Sequence, residues 1–332
     1  MKPAFDISDP ARLREVLFGF RISRTILTAY ELDIFSHVAP DGTCSEVVSQ
    51  KIRSDARATD RLMNALCAIG LLKKRNEKFF NTSFSAQYLS KKSPKYLYGL
   101  MHTANMWDTW STMTVMVKTG NNQKDNVISR NDENWPDSFI GAMHERAILQ
   151  SKLVLDKLDL TDVRHFFDIG GGSGAYAMEF VKRSPEHKAT VFDLPGIIPI
   201  TKKYVKKEGL TKQFRFICGD YNKNSLGNSY DLVFLSAIIH INSPSQNQML
   251  LKKCFRALNP GGTIIIQDHI MDKDRTSPFD GAMFALNMLV STESGDTYTE
   301  SEISAWLKNA GFAGIHRIET FKNAMMVAKK SV

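Results

Sequence analysis

From residue 164 onward the chain alternates short apolar runs with amphipathic stretches, and this alternation limits the fold more than any other feature. Arg164 to Ile169, Ala189 to Leu194, Phe214 to Cys218, Asp231 to Ile239 and Thr263 to Gln267 read as strands. Helical patterns stand between them. One places Ala177, Phe180 and Val181 on a face, a Lys-rich one runs from Ile198 to Glu208, and one from Gln246 to Leu258 turns Leu251, Phe255 and Leu258 inward. Strands separated in this way form a mostly parallel sheet covered by helices on both faces. Asn259-Pro260-Gly261-Gly262 reads as a turn before the fifth strand. Thr299 and Glu302 have capping-box spacing for a last helix, with Ile303, Trp306, Leu307 and Ala310 inward and Gly311 as its stop. Strands near Ile315–Thr320 and Ala324–Ala328 bring the sheet to seven. The fold class is α/β.

Asp168-Ile169-Gly170-Gly171-Gly172-Ser173-Gly174 follows the first strand and opens a helix. Glycines let the backbone turn sharply and come close to a ligand, and ligands of such sheets lie at the carboxyl ends of the strands. Gly172-Ser173-Gly174 with Ala177 also satisfies the G-x-G-x-x-A variant of dinucleotide enzymes, so the glycines alone leave NAD open. Asp193 ends the second strand, where a carboxylate accepts both ribose hydroxyls; NAD enzymes share this feature. Gly219-Asp220 ends the third strand.

The first half reads as helical. Residues 11–38 form one helix with Phe18, Ile22, Ile26 and Ala29 on a face, and Thr43 to Ile52 a second. A third runs from about Ala56 to Leu72, with Leu62, Leu66 and Ile69 on one face. Lys73 to Thr82 is a charged turn with apolar flanks, a two-stranded hairpin. Three helices and a hairpin suggest a winged helix. One use of it is DNA binding, for which the third helix offers Arg57, Arg61 and Asn64 and the wing Lys73, Lys74, Arg75 and Lys78. The other is oligomerisation. Val16, Leu17, Phe18, Phe20 and Leu27 give the first helix more apolar surface than one packing face needs, and dimer burial accounts for the excess. Dimerisation is the preferred use, because the second half reads as a complete enzyme. Residues 96–160 are helical with loops, and Asn121 to Pro136 is polar and irregular. Trp107 and Trp110 crowd one stretch with three methionines, Phe139, Met143 and His144 another. Such groups are usually core, or pocket walls where they precede a cofactor domain.

Charge and cysteine usage exclude several classes. The net charge of +8 is spread evenly, with 22 basic and 18 acidic residues in 1–160 and 21 and 17 in the remainder, so no basic arm for nucleic acid stands out. Cys44, Cys67, Cys218 and Cys254 lie far apart and form no metal-ligand spacing, so no metal is expected; scattered thiols fit a reducing cytoplasm. No apolar run reaches the eighteen or so residues of a membrane span, and the N-terminus has no signal-peptide pattern.

Three features separate the cofactor classes. The spacing D-x-G-x-G-x-G from Asp168 resembles motif I of class I S-adenosylmethionine (SAM)-dependent methyltransferases, which also place an acid at the end of strand three and a turn like Asn259-Pro260-Gly261-Gly262 before strand five. The resemblance goes further. Leu32-Asp33-Ile34-Phe35, Phe167 to Gly174, Phe192-Asp193-Leu194-Pro195, Gly219-Asp220-Tyr221 and Leu258 to Gly262 together resemble the dimeric small-molecule O-methyltransferases, which include caffeate-type plant enzymes, the acetylserotonin enzyme and bacterial relatives. The resemblance spans nearly the whole chain. It implies a winged-helix dimerisation domain over 1–95, a helical linker and substrate-pocket region over 96–160, and over 161–332 a SAM-binding catalytic domain with a seven-stranded class I methyltransferase (Rossmann-like) sheet.

The resemblance also implies roles. Gly170 and Gly172 contact SAM through the backbone, Asp193 with Leu194 beside it holds the ribose, Asp220 the adenine amino group, and Tyr221 lies on the adenine face. Ser236 falls where plant members carry a lysine. His240 falls at the family's general base, Asp268 at the acid on strand five, and Met143 at a methionine that packs on substrate. His-Asp-Trp is common in the family, whereas this chain has His240-Ile241-Asn242. The later acid beside the base maps to Thr297, with Asp296 adjacent. Trp107, His144 and Asn287 complete the candidate pocket. The expected reaction is methyl transfer to a hydroxyl of a small, aromatic molecule by a cytoplasmic homodimer. The altered surroundings of His240 keep C-methylation or non-methylating SAM chemistry as an alternative, and the winged helix keeps a nucleic-acid-binding regulator. Against base-amine methylation stands Ser236-Ala237-Ile238-Ile239-His240, where such enzymes carry Asn/Asp-Pro-Pro-Tyr.

Overall fold

The computed structural model describes residues 7–120, 135–320 and 324–331. It divides into two compact units, Met1–Trp107 and Asp108–Val332. The irregular stretch expected from Asn121 lies outside the described residues as far as 134. The long helix Trp135–Leu155 begins directly after it.

In the first unit the expected single helix over 11–38 is three: Pro10–Phe18, Phe20–Glu31 and Ile34–His37. Gly19, a poor helix former, separates the first two. Asp33 separates the last two in a left-handed conformation, φ 54°. The break changes which face is buried. Leu27, Ala29 and Tyr30 enter the core, while Phe18 and Ile22, expected on the packing face, are more than half exposed. Helices Ser45–Ile52 and Ala56–Ile69 follow, the latter closed by left-handed Gly70. Strands β1 (Leu72–Arg75) and β2 (Lys78–Asn81) pair antiparallel through Asn76 and Glu77, both with positive φ, as a two-residue hairpin with the right-handed strand twist requires. Phe35, Met63, Leu66 and Phe79 centre the core, each burial contributing about 1.5–3 kcal/mol. The wing is tied inward: Lys74 Nζ donates to Asn64 Oδ1 at 3.2 Å, lies 3.4 Å from Glu77 and 3.6 Å from Asp60, and sits over the Phe79 ring.

The second unit is the expected α/β sheet. Its strands are β3 (His165–Ile169), β4 (Lys188–Asp193), β5 (Phe214–Cys218), β6 (Tyr230–Ser236), β7 (Leu258–Asp268), β10 (Phe312–Glu319) and β11 (Ala324–Lys330). A separate parallel pair, β8 (Ile270–Met271) and β9 (Tyr298–Thr299), stands apart from it. The order is β10-β11-β7-β6-β3-β4-β5, parallel from β7 to β5 and antiparallel at β11 and β10. Side chains alternate between two buried faces. Phe166, Leu232, Phe234 and Ile265 point to one core, and Phe167, Val233, Leu235, Ile264 and Ile266 to the other. Asn259 to Gly262, expected as a turn, lies inside β7, where the pairing to β6 is irregular between Tyr230 and Leu232. The Thr299–Glu302 capping box forms, and Gly311 closes that helix at φ 103°. No helix among the described residues is long and apolar enough to cross a membrane.

Candidate functional site

The strand order reverses at β3, which pairs β4 on one side and β6 on the other. A crevice opens at such a reversal, beyond the carboxyl ends of the strands. Two loops meet there: the glycine loop after β3 and the His240 loop after β6.

Gly170 and Gly172 take φ of 67° and 55°, a region that other residues enter only with strain. A side chain at Gly170 would also collide with Ile238. At Gly172 an added Cβ would meet only Ile140 Cδ1, at 3.5 Å, an ordinary contact. Gly172 N donates to Asp193 Oδ2 at 2.8 Å, and Leu194 N to Asp193 Oδ1 at 2.7 Å. Burial raises the Asp193 carboxyl, and those two N–H groups oppose the rise. Below the loop lies Asp168, fully buried, its Oδ2 without a hydrogen-bond partner. Burial, then the neighbouring Asp193 charge, push its pKa up to about 7. Leu194 is half exposed at the rim.

After β5, Asp220 accepts from Asn222 N at 2.9 Å and pairs with Lys223 at 3.4 Å. Tyr221 is half-buried. It packs against the core, its hydroxyl donates to Asn242 Oδ1 at 3.1 Å, and burial pushes its pKa up to about 12. Lys253 fixes this loop, donating to Tyr221 O, Asn222 O and Asn224 O at 2.7, 3.1 and 3.0 Å. Nothing in its sequence position marks that lysine. Ser236 donates to Gln267 Oε1 at 3.3 Å at the ends of β6 and β7.

Strand β6 ends earlier than expected, at Ser236. Ala237, with φ 58°, turns the chain out of the sheet, and His240 sits on the single turn Ile239–Ile241. Its Nδ1 lies 2.8 Å from Asp268 Oδ1, at the end of β7, and its backbone N donates to Asp268 Oδ2 at 3.4 Å. Asp268 is 2% exposed. Burial raises its carboxyl, but His240 and the His269 N–H outweigh that, leaving it below the usual carboxylate range. The ionised carboxylate makes Nδ1 the protonated nitrogen and leaves Nε2 as acceptor.

The departure from His-Asp-Trp has a structural reason. Asn242 is a buried hub: it accepts from Tyr221, donates to Asn247 Oδ1 at 3.1 Å, and its carbonyl accepts from Tyr298 at 2.5 Å. Asp296 does not stand in for the missing acid. Its carboxylate pairs with Arg275 at 3.1 Å, and only its backbone N reaches the loop, donating to His240 O at 3.0 Å. Thr297 is buried, its carbonyl held by Arg275 at 2.8 Å.

The four pocket candidates separate. Asn287, on helix Phe279–Ser291, accepts from Trp110 Nε1 at 2.9 Å. His144 contacts the glycine loop: its Nδ1 lies 2.8 Å from Ser173 Oγ, and its ring lies 3.9 Å from that of Tyr204. Met143 is half-buried beside it on the same helix. Trp107 belongs to the first unit, under the Arg24 guanidinium at 5.6 Å. Sequence reasoning passed over Phe284, whose ring meets those of both His240 and His269. Among the described residues no His, Cys, Asp and Glu group could hold a metal ion.

Comparison with known proteins is consistent across the chain. Residues 14–91 match an O-methyltransferase dimerisation domain and residues 110–313 an O-methyltransferase domain. The 3-hydroxy-5-methyl-1-naphthoate 3-O-methyltransferase of Streptomyces sahachiroi is 29% identical over 93% of this chain and 91% of its own length. Acetylserotonin O-methyltransferase of Gallus gallus is 30% identical over 96% of both. The crystal structure of human N-acetylserotonin methyltransferase in complex with SAM superposes with a TM-score of 0.83 at 27% identity, covering 99% of this chain and 100% of that one. The matched domains, the sheet order and the two loops at its reversal agree: this chain belongs to the O-methyltransferase family.

Proposed function

We propose that this chain methylates a hydroxyl of a small aromatic molecule, with SAM as donor, His240 as general base and Asp268 holding the base in place. The observation that carries this reading is the 2.8 Å His240–Asp268 contact beside the glycine loop. SAM, when bound, supplies an electrophilic methyl group on a sulfonium. The loop fits a cationic ligand of that kind. Positive-φ glycines bring the backbone close, and Asp193 puts acceptor oxygens on one side. Both Asp193 oxygens keep a lone pair for ribose hydroxyls. His240 Nε2 takes the proton as the hydroxyl oxygen attacks, and Asp268 stabilises the resulting imidazolium. General-base help of this kind is worth about 10²–10⁴ in rate. Asp268, the acid at the end of β7, orients the base although the position after His240 carries no carboxylate. Tyr221 acts as a brace for the His240 loop.

The loop reading is tested by calorimetry. Asp193→Ala is expected to weaken SAM binding by about 10–100-fold, the worth of hydrogen bonds to a charged group. NAD is expected not to bind. Unchanged SAM affinity in the variant would remove Asp193 from the site.

The first unit makes the enzyme a homodimer in this reading. Leu13, Leu17, Phe18, Phe20 and Ile22 are 43–62% exposed along Pro10–Phe18 and Phe20–Glu31, more apolar surface than a monomer ordinarily shows. Leu17→Asp with Phe20→Asp is expected to convert the dimer to monomer in analytical ultracentrifugation; a dimer of unchanged affinity would place the interface elsewhere. Four free thiols suit a cytoplasmic setting.

A further inference from the structure

The catalytic pair leaves a second imidazole at the same place. His269 follows Asp268, and its backbone N donates at 2.8 Å to the Asp268 Oδ1 that also holds His240. Its ring stacks on Phe284 with centroids 4.3 Å apart, while His240 meets the same phenyl edge-on at 4.8 Å. The two imidazoles are therefore neighbours across one phenyl ring. His240 and Asp268 are buried, whereas His269 and Phe284 are half-buried and form the outer part of the cluster.

His269 Nδ1 is buried and has no hydrogen-bond partner among the described residues. An orphaned polar atom of this kind costs about 1–3 kcal/mol and calls for a reason, such as a functional role or a bound water or ion. Burial also holds the ring below the ordinary imidazole range, with Asp268 opposing and Arg146 and His240 reinforcing. The ring is thus neutral at pH 7 and offers one donor and one acceptor nitrogen. No step of the proposed methyl transfer uses it.

We propose that His269 binds a second oxygen of the acceptor. The acceptor is then a hydroxyarene with a further hydroxyl or keto oxygen on the same or a fused ring. One oxygen reacts at His240, and the other hydrogen-bonds His269, with Phe284 as the apolar wall between them. This rests on His240 being the base. A site built to hydrogen-bond a substrate oxygen rejects analogues lacking it far more strongly than an apolar wall does.

The test uses the whole protein, SAM with a labelled methyl group, and 1-naphthol against 1,3-, 1,8- and 2,3-dihydroxynaphthalene. The quantity read is the ratio of kcat/KM for the best diol to that for 1-naphthol. His269→Phe keeps a ring on Phe284 and removes both nitrogens; His269→Leu is the second variant. In both the ratio is expected to fall by about 10–100-fold, and His269→Gln is expected to restore part of it. A general loss of structure would lower both rates without moving the ratio. A ratio unchanged within about twofold in both variants, with the wild type turning over the probes, overturns the role of His269 alone. SAM binding without methylation of any probe by the wild type overturns the aromatic-acceptor reading, and this inference with it.

Discussion

Asp268→Asn is expected to lower kcat by about 10²–10⁴ while leaving SAM affinity nearly unchanged. The amide is nearly the same size as the carboxylate, so the buried end of β7 keeps its shape. What changes is the proton on His240. An ionised Asp268 accepts from Nδ1–H at 2.8 Å and leaves Nε2 free to take the substrate proton. An amide that turns its NH₂ toward Nδ1 favours the opposite tautomer, with the proton already on Nε2. His240→Ala removes the base itself, and its expected loss lies in the same range. The two losses are not additive, because Asp268 acts through His240; the double variant is expected to be little worse than His240→Ala. Single-turnover rates with the true acceptor are the measurement. A loss under tenfold for His240→Ala would end the general-base reading.

The second large effect concerns stability. Asp168 is fully buried with a pKa of about 7, against an ordinary value of 3.8. A carboxyl whose folded pKa is raised stabilises the protein below its unfolded pKa. That contribution is lost as pH rises through the folded value. Without cofactor, the wild type is expected to lose about 3 kcal/mol of stability from this group between pH 4 and pH 7. In Asp168→Asn that loss is expected to vanish. The difference between the two urea-unfolding curves across this range isolates Asp168 from the other titrating groups. Curves that stay parallel would mean that Asp168 is not held protonated.

Much of this architecture was legible because it rests on local pattern. The sheet strands show as apolar runs, the glycine loop as a continuous segment, and the last helix through its Thr299–Glu302 box. His240 and Asp268 were legible through family resemblance rather than spacing, being 28 positions apart and joined only when β6 and β7 pair. Contacts of this reach leave no local signal. Lys253 on the 220–224 loop, Asn242 between Tyr221 and Tyr298, and Phe284 between two histidines are all of that kind. Where expectation failed, single residues explain it. Gly19 and left-handed Asp33 divide one expected helix into three, and left-handed Ala237 ends β6 before His240.

Helix Phe279–Ser291 lies in the excursion between β8 and β9, outside the main sheet, and carries Phe284 and Asn287 on successive turns. The His240–Asp268 pair and the glycine loop, by contrast, hang from parallel strands locked in register. If the proposed acceptor site holds, redrawing that helix would exchange one acceptor for another with the reaction itself left untouched.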